Sequence, residues 1–260
     1  MTHISYSELK EWTVCPWKHK LNYIDRINEF KGNEHTAFGT SMHTVCEHLV
    51  SDGKLESTDF FDKEFVKNLS TIKEKDPNIV FKKDLVEQMR VQGVALIKHV
   101  LPALRSYFRK FELISIEEKL YTPIADQEFN FKGFVDLVVK TSDGKYHVVD
   151  WKTCSWGWDS RKKNDKMITY QLTLYKHFWS KKHNVDPKDV ITHFALLKRT
   201  AKHHQVELFK VTSGQKKTQN ALKLLNKAIY NIQKANFIKN KLACYGRYGT
   251  CEYYKTTHCP

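Results

Sequence analysis

Apolar residues recur at helical spacing through the first third of the chain, then at the alternating spacing of strands through its middle. Residues 7–27 open with a serine cap at Ser7 and carry Leu9, Trp12, Leu21 and Ile24 near a helical repeat, which Pro16 is expected to break or kink. Residues 36–50 form a second helical stretch around Gly39, a position that marks a close approach or a turn. Residues 84–111 alternate apolar and charged positions at helical period, with Pro102 as the expected interruption. Residues 113–121, 128–140 and 145–151 are rich in Val, Ile, Phe and Tyr, and Thr141-Ser142-Asp143-Gly144 joins the last two as a hairpin turn. A helix is expected over 165–181, strands over 190–197 and 205–211, and a final helix over 218–235. Strands therefore cluster centrally with helices before and after them. That order predicts an α/β fold, a central mixed β-sheet flanked by helices. Without internal repeats or low-complexity linkers, residues 1–260 read as a single domain. It has a mainly helical part (1–112), an α/β core (113–212), and a helix with a cysteine-bearing tail (213–260).

Composition narrows the partners. The chain is 41% hydrophobic and 13% aromatic, which is ample for a packed core. It has no apolar run of about 18 residues, so no transmembrane helix is expected, and residues 1–10 lack the apolar stretch of a secretory signal. A cytoplasmic location is the expectation. The formal net charge of +14 exceeds what solubility alone tends to require and points to a polyanionic partner, nucleic acid above all. Acidic lipid fits less well, because no single helix reads as a basic amphipathic anchor. No membrane partner is expected.

The acidic residues of the middle strands change the picture further. Asp136 lies within Gly133-Phe134-Val135-Asp136-Leu137-Val138, and Asp150 within Val148-Val149-Asp150-Trp151-Lys152-Thr153. A carboxylate inside an apolar strand is costly to bury unless something compensates it, and a divalent cation between the two would do so. The strands are consecutive and joined by a tight turn, so both carboxylates can converge at one end of the sheet. Lys152 follows Asp150 by two residues and shares its face. Two hard oxygen ligands and an ammonium on one face suit phosphodiester hydrolysis.

These residues resemble the core of the PD-(D/E)XK nucleases, and more narrowly the RecB-type branch that includes CRISPR-associated and phage-encoded exonucleases. Three further segments carry the narrower likeness. Ile4-Ser5-Tyr6-Ser7-Glu8-Leu9 with Trp12 and Cys15-Pro16-Trp17-Lys18 resembles that branch's N-terminal helix. Phe38-Gly39-Thr40-Ser41-Met42-His43 resembles its glycine-containing turn with a metal-binding histidine. Tyr170-Gln171-Leu172-Thr173-Leu174-Tyr175 resembles its Gln-x-x-x-Tyr motif. The resemblance implies a restriction-endonuclease-like core and a Mg²⁺- or Mn²⁺-dependent deoxyribonuclease. It implies His43, Asp136 and Asp150 as metal ligands, the Trp151 carbonyl as a further one, and Lys152 as the catalytic lysine. Gln171 and Tyr175, one helical turn apart, would support the site or contact DNA. Glu47 and Glu118 are weaker candidates, read as structural.

Cys244, Cys251 and Cys259 crowd into the last seventeen residues, with six and seven residues between them. Those spacings are looser than in common zinc modules, and Cys15 is the candidate fourth ligand. In the resembled branch, one N-terminal and three C-terminal cysteines imply a structural 4Fe–4S cluster stapling the chain's ends together. The wide gap between Cys244 and Cys251 departs from that pattern and keeps zinc, or a site using His258, open. Cys46 and Cys154 read as inert thiols.

Trp151, Trp156 and Trp158, followed by Arg161-Lys162-Lys163, admit two readings: a channel for single-stranded DNA, or a packed loop beside a solvated surface. Lys198, Arg199 and Lys202 pose the same choice. The expected function is an exonuclease acting on single-stranded or free DNA ends in recombination, repair or CRISPR adaptation, in a bacterial or phage-infected cytoplasm. A structure-specific endonuclease and a non-catalytic recombination scaffold are the alternatives. No Gly-x-x-x-x-Gly-Lys-Ser/Thr motif is present. Any unwinding must therefore come from a partner such as a helicase, a recombinase or a CRISPR adaptation protein.

Overall fold

The computed structural model describes residues 2–27, 30–54, 59–246 and 249–260. The chain begins with a strand, β1 (Thr2–Ser5), that leads directly into α1 (Tyr6–Val14). The cap is Ser5, not Ser7: its hydroxyl accepts from the Glu8 N–H at 3.1 Å and the Glu8 carboxylate answers at the Ser5 N–H, closing a capping box. As expected, Pro16 breaks the helix. Cys15 is extended, the conformation favoured before proline, and α2 (Pro16–His19) restarts with Pro16 in its first turn before a π-helical turn over Lys20–Ile24.

Four helices follow: α3 (Glu34–Asp52), α4 (Phe60–Lys75), α5 (Lys83–Ile97) and α6 (Val100–Phe108). The sequence reading assigned no element to α4, although Phe61, Phe65, Leu69 and Ile72 are buried at helical spacing. Pro102 does not interrupt the third segment. The break falls at Lys98 and His99, and Pro102 sits in the first turn of α6, where its missing N–H costs nothing. Gly39 is not a turn but lies inside α3, and a Cβ there would stand 3.4 Å from the Thr153 hydroxyl. It marks a close approach of α3 to the strand carrying Lys152.

Strands β2 (Phe111–Pro123), β3 (Phe129–Thr141) and β4 (Tyr146–Cys154) come next. The short α7 (Ser160–Asn164) and the long α8 (Lys166–His183) lead to β5 (Val190–Lys198) and β6 (Val206–Val211). After α9 (Gln215–Gln233) the tail holds a small hairpin of β7 (Tyr245–Gly246) and β8 (Gly249–Thr250). The expected hairpin turn is present, with Gly144 at φ 80° and the Thr141 N–H donating to the Lys145 carbonyl at 3.0 Å.

The chain divides into two compact units. In the larger (32–120 and 134–213), β3 and β4 pair antiparallel, β4 and β5 parallel, and β5 and β6 antiparallel. This is the mixed sheet, and alternation along its strands sorts its two faces. Leu137, Val139, Val149, Trp151, Ala195 and Leu197 join one core with Phe38, Phe61, Phe65, Met89, Leu96 and Leu104 from α3–α6. The intervening positions face α8, where the Tyr146 and Trp179 rings lie 5.2 Å apart. The smaller unit (1–31, 121–133 and 214–260) pairs β1 in parallel with the start of β3, from Thr2↔Phe129 to Ser5↔Lys132, and packs α1 on α9. Among the described residues, no helix is long and apolar enough to cross a membrane.

Candidate active site

The register of β3 and β4 runs from Lys140↔Tyr146 to Leu137↔Val149. One step further sets Asp136 opposite Asp150, with both side chains on the same face. Both carboxylates are buried. Where the ladder ends, the Trp151 N–H donates to Asp136 Oδ2 at 2.7 Å, so a side chain replaces the missing backbone acceptor. Burial, then the Asp150 charge, pushes the Asp136 carboxyl well above the ordinary range, against the opposing pull of Lys152 and the Trp151 N–H.

Asp150 is held from two directions. Gln171 Nε2, on α8, donates to Oδ1 at 2.8 Å and also to the Tyr175 hydroxyl at 3.3 Å. Lys152 Nζ stands 2.6 Å from the buried Oδ2 and pairs with it. Burial pulls the Lys152 ammonium down, but Asp150 and Asp136 outweigh it and hold the pKa above normal. Burial and the Asp150 charge raise the Tyr175 phenol. Gly39 lets α3 approach β4 and deliver His43, whose Nδ1 lies 3.6 Å from Asp136 Oδ2. The His43 imidazole hydrogen-bonds the Trp151 backbone, and burial lowers its pKa, which favours the neutral form that ligates metals.

Among the described residues, His43, Glu117 and Asp136 form a group whose ligand atoms all lie within 4.8 Å of one another. One imidazole nitrogen and two carboxylate oxygens fit a divalent cation. Sequence reasoning missed Glu117 and named its neighbour Glu118. Glu117 takes a left-handed φ of 46° within β2, and such a kink re-aims side chains as a β-bulge does. Glu118 accepts from Ser115, Trp179, Lys182 and His183. Glu47, also read as structural, hydrogen-bonds Glu117. Burial, followed by the charge and hydrogen bond of Glu117, pushes its carboxyl up to about 7. A carboxylate at i+4 from His43 on a helix was the available signal.

The family model described as the PD-(D/E)XK nuclease superfamily matches residues 3–259. The chain belongs to that superfamily. Among solved structures, this nuclease is similar to a candidate exonuclease from Eubacterium rectale at 12% identity and a TM-score of 0.58, covering 97% of this chain and 86% of that one. The crystal structure of SSO0001 also matches, at 13% identity and a TM-score of 0.36, covering 74% and 84% of the two chains. The first likeness supports the fold. No curated protein matches the sequence.

The smaller unit brings the other four candidate residues together. Cys15, Cys244, Cys251 and Cys259 all line one cavity of about 1050 Å³, and all are free thiols. Hydrogen bonds already tie the two chain ends around it: Trp17 Nε1 donates to the His258 carbonyl at 3.0 Å, Asn240 Nδ2 to the Val14 carbonyl at 2.8 Å, and Lys18 pairs with Glu252 at 2.8 Å. His258 does not line the cavity. Cys46 is buried in the core of the larger unit and Cys154 ends β4.

Proposed function

We propose that this nuclease is a metal-dependent deoxyribonuclease that digests single-stranded DNA from free ends, with a 4Fe–4S cluster as a structural staple. The observation that carries the catalytic reading is the Asp136–Asp150–Lys152 constellation beside His43 and Glu117. His43, Glu117 and Asp136 would hold Mg²⁺ or Mn²⁺, and Asp150 offers a further oxygen from the facing strand. The cation supplies Lewis acidity towards a phosphoryl oxygen and the attacking water. Lys152, a cation next to that charge, orients the water and stabilises negative charge as it develops. Gln171 fixes the Asp150 carboxylate through its 2.8 Å hydrogen bond, and Tyr175 fixes Gln171. The Trp151 carbonyl is engaged by His43 and keeps that ring in place.

Four thiolates lining one cavity supply the ligand set of a 4Fe–4S cluster, with zinc as the alternative metal for the same four sulfurs. Anaerobically purified protein should contain iron and sulfide, and Cys251→Ser should lose both together with stability. Stoichiometric zinc in their place would refute the cluster.

End-labelled single-stranded, duplex and circular DNA, digested with Mn²⁺ beside Lys152→Ala, test the activity. Loss of linear DNA that spares circles and vanishes in the variant is expected. Cleavage of circles would make the protein an endonuclease, and binding without cleavage in any metal would make it a scaffold. Cytoplasmic recombination or repair, with a helicase or recombinase supplying unwound DNA, is the setting that this reading suits.

A further inference from the structure

The three tryptophans around the end of β4 meet different fates. Trp151 is 1% exposed in the core, and Trp158 packs on Phe194 and Phe209 with ring centroids 5.1 and 6.1 Å away. Trp156 is 74% exposed. An indole left in water keeps a large, flat apolar face free for a partner to cover.

The backbone that carries it is held on both sides. The Cys154 carbonyl accepts from the Arg199 N–H at 2.9 Å, and the Ser155 carbonyl accepts from the Thr200 N–H at 3.1 Å and the Thr200 hydroxyl at 2.7 Å. Next in sequence, Gly157 adopts φ +124°, and a Cβ there would come within 3.1 Å of the Lys198 stem. Trp158 then anchors the chain to β5 and β6. The loop is fixed while its indole projects, a preorganised face rather than a slack tip.

Its surroundings fit a nucleic-acid strand. Trp156 lies four residues beyond Lys152, at most about 14 Å of chain. Lys162 stacks over the Trp158 ring at 4.7 Å, and Arg161 and Lys202 are exposed on the segments that flank the loop. An aromatic face among cations on a fixed backbone is how proteins grip a strand whose bases are unpaired. A duplex buries its base faces in its own stack, so only a single strand can offer one to an indole.

We propose that Trp156 is a base-stacking platform that positions single-stranded DNA for cleavage at the Asp136–Asp150–Lys152 centre. The inference rests on the nuclease reading and names the substrate form that the site selects. In a Lys152→Ala background, where nothing is cut, Trp156→Ala should weaken single-strand binding about tenfold by fluorescence anisotropy, within the five- to 150-fold range of base–aromatic stacking. Trp156→Phe should restore most of the loss. A single abasic site scanned along the oligonucleotide should reduce affinity at one position when Trp156 is present and at none in Trp156→Ala. Equal affinities, identical abasic scans, or a loss confined to duplex DNA would each overturn the platform. Thermal unfolding of Trp156→Ala should match its parent, because the side chain packs on little. The parent's own cleavage assay keeps the two ideas separate. A parent that cuts DNA while Trp156→Ala binds normally refutes the platform alone, whereas a parent that never cuts refutes the nuclease and leaves the binding comparison intact.

Discussion

Gln171→Ala probes the site through a residue that holds the proposed cation ligand Asp150 without itself offering an oxygen to the cation. Its amide donates to Asp150 Oδ1 at 2.8 Å, while Lys152 Nζ stands 2.6 Å from Oδ2. Asp150 is 1% exposed, so losing this donor leaves a buried carboxylate oxygen without its partner. A hydrogen bond to a charged group is worth about 1.5–3 kcal/mol. For a chain of this length each kcal/mol moves the melting temperature by about 2–4 °C, which places the expected fall at about 3–12 °C. Gln171→Met keeps the volume but removes the amide, so it should lose nearly as much and separate hydrogen bonding from packing. Misplacing a carboxylate beside the cation should also raise the Mn²⁺ concentration at half-maximal cleavage by about 10–100-fold, the usual effect of removing a group that orients a metal site. Differential scanning fluorimetry and a metal titration of cleavage read the two effects. If both variants melt and titrate like the parent, Asp150 is not held by Gln171, and the support assigned to α8 is wrong.

Glu117→Gln should shift the same metal titration at least tenfold while leaving the fold intact, because Glu117 is exposed; an unchanged midpoint would remove it from the ligand set. Gly93→Ala gains about 1 kcal/mol of helix propensity, yet its Cβ would stand 2.2 Å from the fully buried Phe61 ring, which Phe38 and Phe65 hem in at 5.5 and 5.6 Å. Overpacking of about 1–3 kcal/mol should win, so the melting temperature falls, and a rise would show that the ring can yield. Glu118 gives an acid-side test. Burial would raise its carboxyl, but Lys182, Ser115, His183 and Trp179 outweigh burial and hold it at about 2, against an ordinary 4.5. A depressed carboxylate stabilises the fold above its unfolded pKa, and that contribution, about 3 kcal/mol, is lost as pH falls from 4.5 towards 2. Glu118→Gln should therefore cost about that much at pH 7 and converge on the parent near pH 2 in urea titrations; parallel curves would refute the assignment.

Much of the core was legible because it depends on local pattern. The alternation around Asp150 and Lys152 placed both on one face, where they stand 2.6 Å apart, and the four-residue spacing of Gln171 and Tyr175 placed both on one side of a helix, where they hydrogen-bond. Helix starts were less legible. Ser5 and Ser7 are both good caps, and only the Glu8 partner three residues on from Ser5 decides between them. Pro102 reads as a breaker, although a proline in a first turn costs nothing, and where that turn begins is set by packing.

What the sequence by itself determined is the inventory and the register: which strands carry carboxylates, which residues share a face, and which family the motifs belong to. Local periodicity encodes these, and a buried charge in an apolar run is informative wherever it falls. Tertiary structure alone decided three further things. It turned Glu117 rather than Glu118 towards His43, because one left-handed residue resets the alternation that sequence reading relies on. It gathered Cys15 with three cysteines more than two hundred residues away around one cavity. And it left Trp156 exposed while burying Trp151, since exposure depends on what distant strands and loops bring alongside a side chain, and no short stretch of sequence specifies that.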